Sequence, residues 1–262
     1  MAKLVPLFSG SKGNSYYIGS SDGGILIDAG KSCRQIETAL SQNNIDIRSV
    51  RGVFVTHEHT DHCSALNILT KKYGFPVFAS EGTLNALVRD NRIFAGTAID
   101  VIKDSIVLGD MQVNRFETSH DAAESCGYCV TTRENSRVSI ATDTGYLTDS
   151  ARTYIKKSNV AVIESNHDIN MLKNGSYPYI LKRRILSDIG HLSNDDCSKE
   201  LNDFVESGVT RFVLAHLSEE NNYPALALET AVCQLTMAEK KRGEDYEISI
   251  APPQNNGKAI LF

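Results

Sequence analysis

The sequence predicts an α/β fold in which helices cover the outside of a β-sandwich. Short β-branched segments alternate with turn residues in the amino-terminal half, and residues 99–142 have the pattern of consecutive strands joined by hairpins. From residue 159 onward the pattern alternates strand and helix. Strands interleaved with helices on both sides of a long antiparallel middle section are typical of a layered α/β architecture. We therefore expect sheet at the centre and helices at the surface.

The amino-terminal half contains both kinds of periodicity. Apolar residues at Cys33, Ile36, Ala39 and Leu40 follow helical spacing, which predicts a helix over residues 32–43. A second helix is expected over residues 64–73, because Gly74 is a typical helix-ending residue. Strands are predicted over residues 4–8, 16–18, 25–28 and 53–56.

The middle and carboxyl-terminal parts complete the predicted elements. Strands are expected over residues 100–102, 105–108, 111–117, 127–132, 138–141, 160–163, 212–215 and 248–251. Helices are expected over residues 194–207 and from Pro224 to about residue 241, since proline suits the first turn of a helix. No repeat or linker-like stretch interrupts the chain. We expect one domain over residues 1–262.

The composition is that of an ordinary folded protein. The 262 residues are 41% hydrophobic and carry a net charge of −5, which excludes intrinsic disorder and gives no global attraction to nucleic acid or to a membrane. No apolar stretch approaches the roughly 20 residues that span a bilayer, and the amino terminus lacks a secretory signal. We therefore expect a cytoplasmic protein whose six cysteines are reduced thiols, with no disulfide-linked partner. Cys126 and Cys129 are expected to be core residues.

The strongest chemical signal is a histidine-rich segment directly after the strand predicted over residues 53–56. It contains His57, His59, Asp61 and His62 within six residues. Imidazole and carboxylate ligands suit Zn²⁺, and also Mn²⁺ or Fe, whereas Mg²⁺ and Ca²⁺ sites use oxygen ligands. The alternative is a polar surface loop, but three of only seven histidines in one such segment is improbable by composition.

Three further candidate ligands each follow a predicted strand. They are His120, Asp143 and His216. Each alone is more often a capping or loop residue than a ligand. Because open sheets gather their sites at the carboxyl ends of strands, we expect these side chains to meet the histidine-rich segment.

These residues, in this order along the chain, resemble the metallo-β-lactamase superfamily. The resemblance implies a four-layer αββα sandwich with a dinuclear metal centre at one edge of its two sheets. It further implies two divalent ions, Zn or Mn with Fe as a further option, that share Asp143. The implied ligands are His57, His59, His120 and Asp143 at one ion and Asp61, His62, Asp143 and His216 at the other. The superfamily supports many reactions, so the fold alone leaves the chemistry open.

Further segments narrow the resemblance to one branch. They are the glycine-rich turn at residues 9–15, the strand end at Glu164, and the residues around His191 and after His216. Together they resemble phosphodiesterases related to transfer-RNA 3′ endonucleases, and most closely the YycJ (also WalJ or VicX) group of bacterial metal-dependent exonucleases. That resemblance implies a 5′-to-3′ exonuclease acting on double-stranded DNA, with a role in DNA repair. The glycine-rich turn is either a plain hairpin loop or part of the site.

The same resemblance assigns catalytic roles. Metal-bound hydroxide would attack phosphorus, Asp61 would orient or deprotonate that water, and His191, paired with Glu164, would protonate the leaving group. A positioned proton donor is worth about 10²–10⁴-fold in rate for a poor leaving group such as an alkoxide.

Substrate contacts are expected from residues near these groups. The arginine that follows the last histidine in the transfer-RNA endonucleases is replaced here by Glu219, Glu220 and Asn221, so phosphate contact would fall to Ser218, Asn221 or Asn222. The basic run 182–184 lies between Glu164 and His191 and near two tyrosines, which favours Lys182 as a nucleic-acid contact. No role is assigned to His167.

Two alternatives use the same ligands. A small-molecule metallohydrolase, such as a thioesterase or cyclic phosphodiesterase, would be indifferent to DNA. A non-catalytic regulatory protein would keep the metal for structure, but structural sites close their coordination, whereas two ions that share one carboxylate leave room for water.

Overall fold

The computed structural model describes residues 2–262, and its strands form two seven-stranded sheets. The first sheet has the order β14-β1-β2-β3-β4-β5-β6, and the second has the order β13-β12-β11-β10-β9-β8-β7. In each sheet an antiparallel part is continued by parallel strands, β3 to β6 in the first and β10 to β13 in the second. The two sheets therefore have the same mixed organisation.

The strands and helices alternate along the chain as the sequence predicts. The strands are β1 Lys3–Phe8, β2 Ser15–Ser20, β3 Gly23–Ile27, β4 Val50–Phe54, β5 Val77–Ala79, β6 Ile99–Val101, β7 Ser105–Leu108, β8 Met111–Glu117, β9 Cys126–Thr132, β10 Arg137–Ala141, β11 Val160–Glu164, β12 Arg211–Ala215, β13 Glu247–Ile250 and β14 Ile260–Leu261. The helices are α1 Cys33–Gln42, α2 Thr60–Cys63, α3 Leu66–Tyr73, α4 Glu81–Arg89, α5 Asp149–Ile155, α6 Ile169–Asn174, α7 Tyr179–Ile185, α8 Asn194–Glu206 and α9 Pro224–Met237.

Three apolar clusters between these elements define four layers. In β3, Ile25 and Ile27 face the second sheet, whereas Leu26 faces the helices, because successive side chains of a strand point to opposite faces. The outer cluster on the first sheet joins it to α1, α3 and α4. The corresponding cluster on the second sheet joins it to α5, α8 and α9. The predicted αββα sandwich is therefore confirmed.

Most boundaries match the sequence prediction within one or two residues. Helix α9 is the main exception, because it ends at Met237 rather than near residue 241. Ser193 caps α8 by accepting a hydrogen bond from the backbone N–H of Asp196, and serine is among the residues preferred at this position. Cys126 and Cys129 are both buried, on opposite faces of β9, so their predicted core role is confirmed.

Several short elements lie outside the prediction. They are β5, α2, α4, α5, α6, α7 and β14. Among the described residues, no helix has both the length and the apolar character needed to cross a bilayer.

Candidate metal centre and active site

The candidate ligands converge on one edge of the sandwich because parallel strands of both sheets end there. Residues 57–62 follow β4 of the first sheet, whereas Asp143 and His216 follow β10 and β12 of the second sheet. His120 lies in the loop between β8 and β9, and His191 lies just before α8. All the metal ligands expected from the sequence therefore meet at this edge.

Three residues that follow strands at this edge have a positive backbone φ angle. Asp28, Asp143 and His216 have φ values of 63°, 57° and 54°, in the left-handed region that residues with a side chain rarely adopt. Asp28 and His216 come directly after their strands, and Asp143 comes two residues after β10. Such strain persists only where the surrounding structure holds it, and it is concentrated at functional sites.

The imidazoles are oriented by hydrogen bonds to one ring nitrogen. His57 Nδ1 lies 3.0 Å from Thr56 Oγ1, and His120 Nδ1 lies 3.0 Å from the carbonyl oxygen of Gly190. Such anchoring fixes the ring and leaves the opposite nitrogen facing a ligand, as in proteins with metal-bound histidine.

Two buried carboxylates anchor the other imidazoles. Asp28 Oδ2 lies 2.8 Å from His62 Nδ1 and is itself held by the hydroxyl of Thr56. Glu164 Oε1 lies 2.8 Å from the Nδ1 atoms of both His191 and His216. One carboxylate oxygen therefore joins the proposed proton donor to a candidate metal ligand.

Asp143 is central to the cluster. Its Oδ2 atom lies 3.2 Å from His62 Nε2, and its Oδ1 atom lies 3.3 Å from His216 Nδ1 and 3.9 Å from His120 Nε2. Asp61 Oδ2 lies 3.6 Å from His62 Nε2 and 3.9 Å from His216 Nε2. Within the described residues, potential ligand atoms lie within 4.8 Å of one another in the groups His57, His59 and His120; His57, His62 and Asp143; Asp61, His62 and His216; and Asp143, Glu164, His191 and His216.

Burial and charge act in opposite directions at these groups. Burial lowers the pKa of His57 well below its usual value. Burial opposes ionisation of Asp143 as well, but the neighbouring His216 and His62 outweigh it and hold the pKa of Asp143 well below its usual value. Burial likewise opposes ionisation of Glu164, whose pKa falls to about 2 because His191 and His216 surround it. Glu164 is therefore ionised at neutral pH.

The donor set fits divalent metal ions. The Nε2 atoms of His57, His120 and His216 are buried and have no hydrogen-bond partner among the described residues. Buried polar atoms are nearly always paired, so three unpaired imidazole nitrogens beside two carboxylates require an explanation. Nitrogen and oxygen donors in this arrangement are those that Zn²⁺ and other first-row divalent ions prefer.

A cleft of about 240 Å³ opens over these groups. Its polar lining includes His59, Asp61, His120, Asp143, His191 and His216, together with Ser11, Asn166, Arg184 and Ser218. The guanidinium of Arg184 is paired with Asp121, with Nη2 2.7 Å from Oδ1. Arg184 belongs to the basic run 182–184, but neither Arg184 nor Asn166 is assigned to the site from the sequence.

The glycine-rich turn contacts the site directly. Ser9 Oγ accepts a hydrogen bond from the backbone N–H of His216 over 2.8 Å, and Asn14 Nδ2 lies 3.0 Å from His62 Nε2. Gly30, on the facing loop, accepts no side chain, because a Cβ atom there would lie 1.6 Å from the carbonyl oxygen of Asp61. Of the two interpretations of this turn, the structure favours a place at the site.

The other predicted substrate contacts have different surroundings. The Lys182 ammonium donates to the carbonyl oxygens of Lys173 and Gly175, over 2.9 and 2.7 Å. Asn221 is buried behind Ser218, to which its backbone N–H donates. Ser218 itself lines the cleft.

Asp28 and Thr56 were assigned no role from the sequence. Asp28 is a carboxylate at the end of a predicted strand, the signal that identified Asp143 and Glu164.

A family model described as the beta-lactamase superfamily domain matches residues 24–217. This chain belongs to the beta-lactamase superfamily. This chain is 39% identical over 250 residues to an exodeoxyribonuclease YycJ from Bacillus anthracis. The alignment covers 95% of this chain and 94% of that protein. The chain is 35% identical over 258 residues to an exodeoxyribonuclease WalJ from Streptococcus pneumoniae strain D39, covering 96% of this chain and 94% of that protein.

A solved structure has the same fold as this superfamily member. The metallo-beta-lactamase fold protein YhfI from Bacillus subtilis superposes with a TM-score of 0.73. The superposition covers 99% of this chain and 98% of that chain, at 15% identity. At this identity the likeness concerns the fold alone, and it confirms the fold that the sequence predicts.

Proposed function

We propose that this protein is a metal-dependent phosphodiesterase that degrades DNA as an exonuclease. The observation that carries the proposal is the pairing of His191 Nδ1 with Glu164 Oε1 at 2.8 Å, beside the cluster of candidate metal ligands. This pairing leaves His191 Nε2 as the ring nitrogen available to the cleft, which His191 lines. The curated relatives named exodeoxyribonuclease support the same class of substrate.

Two divalent ions are the proposed cofactors, Zn²⁺ or Mn²⁺ with Fe as a further option. The residues that would hold them are His57, His59 and His120 for one ion, Asp61, His62 and His216 for the other, and Asp143 for both. When bound, the ions would supply a water molecule of lowered pKa and neutralise charge on the phosphate.

The chain's own residues then handle the protons. Asp61, whose side chain is 28% exposed, would orient the attacking water and accept its proton. His191 would donate a proton from Nε2 to the leaving oxygen while ionised Glu164 holds Nδ1. Glu164 also holds His216, so the proton donor and the metal centre keep a fixed relative position.

Substrate positioning is proposed for the polar groups of the cleft. Ser218 Oγ accepts hydrogen bonds from the backbone N–H groups of Glu220 and Asn221, so its own O–H remains free to donate to a phosphate oxygen. Arg184 supplies positive charge in the cleft wall. Lys182 and Asn221 stay predictions as substrate contacts. The Lys182 ammonium donates to backbone carbonyl oxygens, whereas the buried Nδ2 atom of Asn221 has no hydrogen-bond partner among the described residues.

Further details of the activity are part of the proposal. Preference for double-stranded DNA, 5′-to-3′ polarity, a role in DNA repair and a cytoplasmic location rest on the sequence and its resemblance to the exonuclease group. One domain over residues 1–262 is supported by β14, which returns from the carboxyl terminus to pair with β1.

The test is a cleavage assay on duplex DNA labelled at its 5′ or 3′ end, with metal-free protein reloaded with Zn²⁺, Mn²⁺ or Fe²⁺. We expect stepwise loss of nucleotides from the 5′ end. His191→Gln should lower kcat by about 10²–10⁴-fold while the metal content stays unchanged. His59→Gln is the matched control, because it should lose metal as well as activity.

The rival functions are outcomes of the same assay. Hydrolysis of a thioester or a cyclic phosphodiester with no cleavage of DNA would replace the proposal with a small-molecule hydrolase. Stabilisation by metal with no hydrolysis of any of these substrates would favour a regulatory role. Full activity of His191→Gln would remove His191 as the proton donor.

A further inference from the structure

A second cavity, which we term the side pocket, lies next to the cleft. It measures about 440 Å³, and its apolar wall is formed by Leu217, Tyr223, Ile250, Pro252 and Pro253. Ser218 lines both the cleft and the side pocket. The two cavities are therefore adjacent, separated at the residue that we propose to contact phosphate.

Two of the polar residues that line the side pocket, Ser9 and Asn222, are already bonded within the protein. Asn222 Nδ2 donates to the carbonyl oxygens of Ser165 and Asn166, over 2.9 and 3.0 Å, and Asn222 Oδ1 accepts from the backbone N–H of Tyr223. Ser9 Oγ accepts from the backbone N–H of His216. The pocket consequently presents an apolar surface with few free polar groups, which suits a flat ring held by stacking rather than by hydrogen bonds.

Tyr223 is the aromatic member of this wall. It is 51% exposed and precedes Pro224 at the start of α9, so its backbone is fixed while its ring stays accessible. Its ring stacks on no other aromatic side chain among the described residues. Base stacking on an exposed tyrosine is a common way to hold single-stranded nucleic acid without reading its sequence.

A positive charge lies beyond the side pocket. Lys12, on the glycine-rich turn, is paired with Glu219 Oε2 at 2.5 Å, and its side chain is 72% exposed. Glu219 also lines the side pocket. An exposed ion pair of this kind is weak, so Lys12 can turn to a nucleic-acid phosphate at little cost.

We propose that the side pocket binds the base of a nucleotide next to the scissile phosphate, stacked on Tyr223, with the following phosphate near Lys12. This inference rests on the proposed nuclease function and names a substrate subsite for it. Because the wall offers stacking and few free hydrogen-bonding groups, the subsite would accept all four bases. It would require that the terminal bases of a duplex separate before cleavage.

The experiment removes the base and the ring in turn. Duplexes carry an abasic tetrahydrofuran residue at the first, second or third position from the 5′ end. We expect kcat/KM of the unmodified protein to fall about tenfold at one of these positions. Tyr223→Ala should show a similar fall on intact DNA and no further fall on that abasic duplex, whereas Tyr223→Phe should behave like the unmodified protein. Phe94→Ala, which removes an exposed ring outside both cavities, is the matched control.

A binding measurement separates this inference from the nuclease proposal. In the His191→Gln background, 2-aminopurine placed at the same position should be quenched on binding, and Tyr223→Ala should remove the quenching. Two outcomes, in a protein that does cleave DNA, would show that the side pocket is not a base site. In the first, abasic residues at all three positions change kcat/KM by less than twofold. In the second, an abasic residue lowers kcat/KM equally in the unmodified protein and in Tyr223→Ala. If no DNA is cleaved and the quenching is also absent, both proposals fail. Quenching without cleavage would support the base site and reject the nuclease.

Discussion

The side chains of the site fall into two classes: those that face the cleft, and those that position the cleft-facing side chains from behind. Asp28 belongs to the second class, because it is fully buried and its carboxylate contacts His62 Nδ1 at 2.8 Å. Asp28 therefore helps to orient His62 from outside the cleft, together with the hydroxyl of Thr56.

Removing this charge should weaken metal binding without removing a ligand. We expect Asp28→Asn to lower Zn²⁺ affinity by about 10–100-fold, because the carboxylate fixes the ring and raises its basicity. Competition with a chromophoric chelator measures the affinity. Asp100→Asn, at an exposed position on β6, is the control and should bind as the unmodified protein does. Equal affinities of the two variants would contradict this role for Asp28.

His167 provides a prediction about pH. It is 1% exposed, neither ring nitrogen has a hydrogen-bond partner among the described residues, and burial lowers its pKa to about 4. The unfolded chain has a histidine pKa of about 6.5, so it binds more protons than the folded chain between about pH 6.5 and about pH 4. The stability due to neutral His167 is therefore complete above about pH 6.5 and is lost as the pH falls toward about 4.

We expect the free energy of unfolding to fall more steeply with acid in the unmodified protein than in His167→Gln. The difference in slope should be on the order of 1 kcal/mol per pH unit in that window. Urea unfolding of both proteins at several pH values measures it, and contributions of the shared site residues cancel in the comparison. If the free energy of unfolding depends on pH in the same way in both proteins, burial does not keep His167 neutral.

At the scale of elements, the loops that follow the strands are held by contacts between backbones. Gly30 follows β3, and its amide donates to the carbonyl oxygen of Asn14 over 2.8 Å, while Asn14 donates to the carbonyl oxygen of Asp61 over 2.7 Å. Three loops are thereby joined next to the segment that carries the histidines. Space for a side chain is absent at this junction.

Gly30→Ala should therefore destabilise the protein and disturb the metal centre together. We expect a loss of about 3 kcal/mol or more in the free energy of unfolding, since the added Cβ collides with backbone rather than with a movable side chain. Gly96→Ala is the control, because nothing lies within 4 Å of its added Cβ and only its φ of +87° opposes the change. Its expected cost is about 1 kcal/mol, with metal affinity unchanged. Chemical unfolding and metal competition measure the two effects, and equal losses would contradict the proposed collision.

The elements that the sequence predicts well are the long or strongly patterned ones. Helices α1 and α8 have a full apolar stripe, and the buried strands have continuous β-branched runs. The missed elements are short, and periodicity needs windows of 11–18 residues to be distinctive. Helix α7 is only seven residues long and exposes Tyr179 and Ile180, so its pattern resembles a surface loop.

Some residues of the candidate site can be identified from the sequence, and others cannot. The clustered histidines are identifiable from residue type and spacing, because few side chains share their chemistry. Arg184 was not identified as a cleft residue, since its position depends on pairing with Asp121, 63 positions away in the chain. Asp28 carries the same strand-end signal as Asp143, but its role depends on a contact with His62 that a single sequence does not display.

At the scale of the whole molecule, the candidate ligands come from both sheets. A bound ion would connect residues 57–62 of the first sheet with Asp143 and His216 of the second. Metal should therefore stabilise the packing of the two halves and not only the local loops.

Removal of metal should lower the midpoint of thermal unfolding. A ligand at about 100 times its Kd adds about 2.7 kcal/mol to the free energy of unfolding, and metal at higher excess adds more. Differential scanning calorimetry with and without a chelator measures the change, and readdition of Zn²⁺ should restore it. In the double variant His59→Ala and His216→Ala, which removes one proposed ligand of each ion, the chelator should have little effect. A chelator effect as large as in the unmodified protein would place the stabilising ion elsewhere.

The order of strands along the chain also bears on synthesis. Strands β1 to β6 of the first sheet are synthesised before every strand of the second sheet, and Asp143, Glu164, His191 and His216 follow later in the chain. A growing chain that has folded its first sheet holds only the donors of residues 57–62 and no Glu164 or His191. If the protein cleaves DNA as proposed, the nascent chain would thus stay inert until the second sheet and its site residues have been synthesised.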